Sequence, residues 1–276
     1  MAEQNDSAGS ASAPNPSDAV VRTDVVGRTL VVTIDRPEVR NAVDLRVARA
    51  LADAFTRAED DPEIWTVVLT GAGDRAFSAG ADLKAVFRGE VVHDPERPER
   101  GFAGLVKHDI SKPVIAAVNG LAVGGGFEMV LHCDLAVAVA SAVFGFPEPR
   151  VGKMAAAGGA FRIGGQIPPK LAAELLFTGT PISAARAAEL GLVNRVVPDG
   201  EALTAALALA DEINRNSPLS VRASKRVLLG IDPGVQRDGD DWARIAAADD
   251  ELLRSADAEE GVRAFVEKRE PRWTGK

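Results

Sequence analysis

The amino-acid sequence predicts an α/β fold, a layered spiral of repeated strand–strand–helix units closed by a C-terminal layer of helices alone. Three observations point there. A pattern of strand, strand and helix recurs at roughly forty-residue intervals, the length of one supersecondary unit. Each apolar run ends in a glycine-bearing turn that leads toward a helical pattern. Beyond about residue 200 the strands stop and only stretches with helical periodicity follow. The units share no clear sequence identity, so the repeat is structural.

Residues 1–18 are rich in Ser, Ala, Pro and acidic or amide side chains, and the expectation is a disordered tail. It carries neither a basic segment followed by an apolar stretch nor the arginines of a transit peptide, and no apolar run approaches the ~20 residues that span a bilayer. A cytoplasmic protein without membrane association is expected. Runs 19–26 and 29–35, split by Gly27 and Arg28, read as a hairpin. Residues 44–59 place Leu45, Ala48, Leu51, Ala52 and Phe55 on one helical stripe, with Asp44 as N-cap. Residues 65–70 form a strand closed by Gly71, Ala72 and Gly73. A second unit follows, with a buried strand at 113–118, a turn at Asn119 and Gly120, and a helix opened by Gly124, Gly125 and Gly126 and running to about His132. A third strand, 135–140, leads to 144–148. The polar, proline-containing stretch 88–101 is expected to be a mobile loop beside a pocket. Segments 201–214, 217–229, 240–254 and 258–268 read as helices. The predicted division is a tail (1–18), an α/β core carrying the site (19–200) and a helical domain (201–276) packed on the core or on a neighbouring subunit.

The formal charge of −8 and pI near 5.1 make nucleic acid an unlikely default partner, because an acidic surface repels phosphate backbones. Cys133 is the single cysteine, so no intrachain disulfide can form. His93, His108 and His132 have no metal-ligand spacing, and no metal is expected.

Three segments could carry chemistry. In 76–84 (AFSAGADLK), small residues at 78–81 let backbone approach a ligand, and the free N–H groups at the following helix start could bind an anion or oxyanion; tight packing explains such residues equally. In 119–128 (NGLAVGGGFE), three glycines after a buried strand suit another close approach. Glu128 follows in the first helical turn, either a solvated first-turn acid or, given the apolar sequence around it, a buried acid or base. In 144–148 (FGFPE), Glu148 follows the turn-forming Pro147 and is either a plain loop glutamate or the partner of Glu128. Together, two backbone-donor sites and two glutamates describe a place that binds a carbonyl oxygen and moves protons beside it, as thioester chemistry requires.

On these motifs the chain resembles the enoyl-CoA hydratase/isomerase (crotonase) family from about residue 20 to 272. The likeness rests on IDRPEVRNAV (34–43), AFSAGADLK (76–84), KPVIAAVNGLAVGGGFE (112–128), CDLAVA (133–138), FGFPE (144–148), AGG (157–159), TGTPISAARAAELGLVNRVVP (178–198) and AFVEKR (264–269). The resemblance implies a crotonase-like spiral of ββα units with a C-terminal trimerisation layer. It implies an oxyanion hole from the N–H groups of Ala81 and Gly125, with Glu128 activating water and Glu148 exchanging the α-proton. It further implies CoA contacts at Ala79, Asp82, Leu83, Lys84, Phe265 and Lys268, the last two often reaching a neighbouring subunit's ligand. The implied activity is enoyl-CoA hydration in fatty acid metabolism, by a homotrimer or dimer of trimers with an acyl-CoA substrate and no cofactor beyond the substrate's own coenzyme A. The alternatives are isomerisation or dehydration of a branched or bulky acyl-CoA. Some members of this family bind RNA, a role that the net charge and the lack of a basic cluster argue against. The chain departs from the pattern at 149–157, where Ala156 stands in place of a customary glycine. Its methyl and Met154 could narrow the acyl pocket, and Arg150 could shift Glu148 if their side chains met.

Overall fold

The computed structural model of the chain describes residues 19–231, 235 and 237–276. The expected tail, 1–18, lies outside the described residues. Strands β1 (Val21–Val26) and β2 (Thr29–Ile34) form the antiparallel hairpin, turning at Gly27 with φ of +58°. Helix α1 (Leu45–Asp60) begins where Asp44 accepts the Val47 N–H at 3.0 Å, and it buries Val47, Ala48, Leu51, Ala52 and Phe55 as its stripe predicts.

Three turns of a spiral follow. The first is β3 (Thr66–Gly71), β4 (Ala76–Ser78) and α2 (Leu83–Phe87). The second is β5 (Val114–Val118), β6 (Leu121–Val123) and α3 (Gly125–His132). The third is β7 (Leu135–Val139), β8 (Val143–Gly145) and, after a 3-10 turn at Glu148–Val151, α4 (Gly159–Gln166). The first strand of each turn joins one sheet and the second joins another. With β10 (Arg195–Val197) and β9 (Ile182–Ser183), the sheets run β1-β2-β3-β5-β7-β10 and β4-β6-β8-β9. Neighbours from successive turns are parallel, with Leu69 opposite Ala116 and Ala116 opposite Ala136. Every position of β2, β3 and β5 is buried, as a covered parallel sheet demands.

Helices α5 (Pro169–Thr178) and α6 (Ala184–Glu189) flank β9. The C-terminal helices are α7 (Ala202–Asn214), α8 (Pro218–Leu229), α9 (Gly239–Leu253) and α10 (Ala256–Glu267). Helix α7 lies on β3, β5 and β7, where Ala202, Ala206 and Ala210 are buried and Asn214 Nδ2 donates to Thr29 and Thr66 Oγ1 at 3.1 and 3.2 Å. By packing, α7 covers the large sheet.

The 88–101 stretch differs from the expected mobile loop because it is tied to α1. Asp94, 1% exposed, accepts from Arg97 Nε at 2.6 Å and from the Glu96 N–H at 3.1 Å. Arg100 donates to the Ala52 carbonyl and to Thr56 Oγ1, both at 2.7 Å. Strands β4 and β6 also stand where the sequence reading has only turns and small residues.

Candidate active site

Strand β4 and helix α3 meet through glycines. Gly80 has φ of +81°, and a Cβ there would lie 2.7 Å from Gly125 N. A Cβ on Gly126 would overlap the Ser78 carbonyl. The backbones therefore touch, which sets the peptide of Ala81 beside the first N–H of α3. The Ala81 segment is held on both sides: Val43 N–H donates to Gly80 O, and Asp82 N–H donates to Val43 O, each at 2.8 Å. Below it, Ser78 Oγ donates to Asn41 O at 2.8 Å and accepts from Gly80 N–H. Buried Asn41 in turn donates to the Ala76 carbonyl at 2.7 Å. Among the described residues, the N–H groups of Ala81 and Gly125 have no acceptor. Two uncommitted donors side by side at a helix start can hold a developing oxyanion.

Glu128 lies one turn into α3 and is 3% exposed. Its Oε1 accepts the Gly159 N–H at 2.8 Å, and a Cβ on Gly159 would lie 2.9 Å from that same oxygen. Rings of Phe127, Phe144 and Phe146, tilted against one another with centroids 5.5 and 4.8 Å apart, make the surroundings dry. Burial, then repulsion from Glu148, pushes the Glu128 carboxyl up to about 8 against the opposing pull of the Gly159 N–H. Glu148 opens the 3-10 turn after Pro147. Its Oε1 lies 3.0 Å from the position of a Cβ on Gly124, at the entrance to α3, and its buried Oε2 has no partner among the described residues. Burial pushes this carboxyl up to about 7. Two neighbouring carboxyls raised in this way share protons near neutral pH, so one can give a proton while the other takes one.

Among the other expected site residues, Ala79 donates its N–H to Arg40 O at 2.9 Å. The Asp82 carboxylate is committed to the start of α2, accepting from the Lys84 and Ala85 N–H groups and pairing with Arg36 at 3.0 Å. Lys84 and Lys268 are exposed. Leu83 and Phe265 line one apolar crevice with Val86, Val151 and Val262, so α10 reaches this region within its own chain. Arg150 corrects one expectation. It does not meet Glu148 but turns toward Thr180 Oγ1 at 3.4 Å. Ala156 and Met154 are half-buried against the core. The sequence reading missed Phe102, whose ring lies where a Cβ on Gly125 would come within 2.5 Å of Cζ. A lone phenylalanine at the end of a polar stretch carries no signal. Among the described residues, no cluster of three or more His, Cys, Asp or Glu could hold a metal, and no helix is long and apolar enough to cross a membrane.

A spiral of this kind, with paired glutamates beside uncommitted helix-start amides, defines an acyl-CoA enzyme of crotonase fold. The chain belongs to the enoyl-CoA hydratase/isomerase family, whose model matches residues 27–276. It is 40% identical over 253 residues to a carnitinyl-CoA dehydratase of Salmonella paratyphi A, covering 91% of this chain and 96% of that one. Among solved structures, a carnitinyl-CoA hydratase from Mycobacterium avium superposes with a TM-score of 0.92 at 52% identity, covering 94% of this chain and 99% of that chain. An enoyl-CoA hydratase from Mycobacterium tuberculosis superposes with a TM-score of 0.73 at 40% identity, covering 94% and 100%.

Proposed function

We propose that the chain adds water reversibly across the C2–C3 double bond of a trans-2-enoyl-CoA. The observation that carries this reading is the pair of buried, proton-retaining carboxyls, one with an unpartnered oxygen, next to two free backbone donors. In the hydration direction the pair reacts from the form in which Glu148 holds the shared proton, and Glu128, as carboxylate, takes a proton from water while the oxygen bonds to C3. The π electrons move toward the thioester carbonyl, and the resulting enolate oxygen is held by the N–H groups of Ala81 and Gly125. C2 then takes the proton of Glu148. The pair ends with one proton, as it began, carried now by Glu128, and dehydration reverses each transfer. The thioester's CoA portion runs along Ala79 and Asp82 to Lys84, with Phe265 and Lys268 at its far end, and no further cofactor is needed. The working form is a homotrimer or dimer of trimers in the cytoplasm.

A second reading, dehydration of a 3-hydroxyacyl-CoA with a bulky or branched tail, is favoured by the names of the relatives at 40% and 52% identity and by Ala156, half-buried against the core at a position where the family customarily has glycine. Loss of the enoyl-thioester absorbance with crotonyl-CoA and a longer enoyl-CoA tests the main reading, with Glu128→Gln and Glu148→Gln alongside. Turnover by the wild type and a loss of ~10³-fold or more in both variants supports it. An inert wild type that still binds CoA esters points to the second reading. Full activity in either variant overturns the two-glutamate mechanism.

A further inference from the structure

The Ala81 N–H is one of the two donors on which the proposed hydration depends, and one buried side chain braces the segment that carries it. Arg36 is 8% exposed. Its Nη2 donates to Asp82 Oδ2 at 3.0 Å and its Nη1 to the Ala42 carbonyl at 2.7 Å, with Asp44 Oδ2 3.4 Å from Nη1. Asp82 directly follows Ala81, and Ala42 directly precedes Val43, whose two backbone bonds hold Gly80 and Asp82. The guanidinium therefore closes a loop of bonds that has the Ala81 peptide on its circumference.

The arginine is itself fixed. Its own N–H donates to Asn41 Oδ1 at 3.0 Å, and the Asn41 N–H donates back to Arg36 O at 2.8 Å. In that turn Arg40 and Asn41 both take left-handed φ, +57° and +55°, a costly pair that persists because the bonds around it over-determine it. Helix capping does not account for the guanidinium. Asp44 Oδ1 caps α1 and Asp82 Oδ1 caps α2, while Arg36 faces the other oxygen of each. Among the described residues, Arg36 is the one cation within 4.0 Å of Asp82. Without it a bare carboxylate would stand one residue from the N–H that must hold a developing negative charge, and like charges oppose each other. An ammonium reaches one of these acceptors at a time, whereas the planar fork of a guanidinium spans them.

We propose that Arg36 is a positioning residue of the reaction, which acts through Asp82 to fix the Ala81 N–H for the enolate oxygen and to cancel the carboxylate charge beside it. Arg36 itself touches no substrate atom. This rests on the hydration and dehydration reading of the site.

The test follows Arg36→Met and Arg36→Lys beside the wild type in two measurements. The first is steady-state kinetics with the enoyl-CoA that the wild type turns over fastest. The kcat is expected to fall about 100-fold in Arg36→Met and about 10-fold in Arg36→Lys, with KM within about threefold of the wild type. The second is a pH titration of bound acetoacetyl-CoA, whose C2 proton leaves to give an enolate that absorbs in the near ultraviolet. Butyryl-CoA, which has the same carbonyl but forms no enolate, serves as the control. The pH at which bound acetoacetyl-CoA ionises should rise by about two units in Arg36→Met and about one in Arg36→Lys, the same factors as in kcat, while the Kd for butyryl-CoA stays within about threefold. Arg36→Lys keeps a cation between the carboxylates and decides the matter if Arg36→Met does not fold. A lower thermal midpoint with the ionisation pH unmoved makes the arginine structural alone and overturns the inference. So does a lysine variant that matches the wild type in both measurements, and either result leaves the hydratase reading intact. A wild type that neither hydrates an enoyl-CoA nor ionises bound acetoacetyl-CoA defeats the site reading, and the inference with it.

Discussion

At the scale of single residues, Glu128 and Glu148 are costly to keep, and that cost can be measured. Their folded values, about 8 and about 7, both stand above the ordinary 4.5. The folded protein therefore retains protons that the unfolded chain has released, so stability falls as pH rises from about 4.5 through 7 and 8. Glu128→Gln removes the larger part of this slope. It should raise the thermal midpoint at pH 8, by on the order of a few kcal/mol of stability, while changing it little at pH 4.5. Thermal denaturation at the two pH values checks this, and an unchanged difference between them would contradict the burial argument. The same proton-sharing predicts a bell-shaped kcat/KM profile with limbs near 7 and 8 that belong to the pair. In a stopped-assay series across pH, each glutamine variant should lose one limb along with its activity. Both glutamates were legible in the sequence because each follows a distinctive turn, GGG before one and Pro147 before the other. Phe102 was not, because more than twenty residues separate it from Gly125 and only the folding of the 88–107 stretch brings its ring to the start of α3.

At the scale of elements, the placement of α3 depends on glycines that admit no side chain. In Gly126→Ala the new methyl meets the backbone carbonyl of Ser78, which has no rotamer to relieve it. The expected loss is ~3 kcal/mol or more, with activity falling further because the Gly125 N–H shifts away from Ala81. Gly164, in α4, has nothing within 4 Å of an added methyl and keeps a negative φ. Gly164→Ala should accordingly stabilise by roughly 0.5–1 kcal/mol through helix propensity. Urea midpoints of the two variants should move in opposite directions. The long elements were readable from periodicity: α1 by its stripe, the buried strands by their apolar runs, and the C-terminal helices by spacing. Strands β4 and β6 span three residues each, too short to show a period of two, and they exist because a parallel neighbour lies beside them. The 88–101 stretch looked free because its polarity is spent internally, on Asp94, Arg97 and Arg100 against α1, a pairing that composition does not reveal.

At the scale of the molecule, the C-terminal helix is locked to the 3-10 turn that begins at Glu148. A Cβ on Gly261 of α10 would overlap the Val151 carbonyl, and one on Gly152 would lie 2.5 Å from the Asp257 carbonyl. Gly261→Val should push α10 away from the turn that carries Glu148 and open the crevice of Leu83 and Phe265. The expected result is a KM for CoA esters raised about tenfold, with a lower kcat, read by steady-state kinetics. The order of the sheets bears also on how the chain acquires its shape. Apart from the first hairpin, every pairing in the large sheet joins parallel strands with other elements between them in the chain, and β10 must find β7 across some sixty residues. Such distant pairings are slow to nucleate, because the chain between them must be ordered first. On the ribosome, where ~5–20 residues are added each second, each new turn can dock only on the one already made. The edge of β7 stays open until residue 197 has emerged, and α7 can cover the sheet only afterwards. The nascent enzyme thus presents a bare parallel edge for several seconds, the interval in which a chaperone, or a second unfinished copy, would find it.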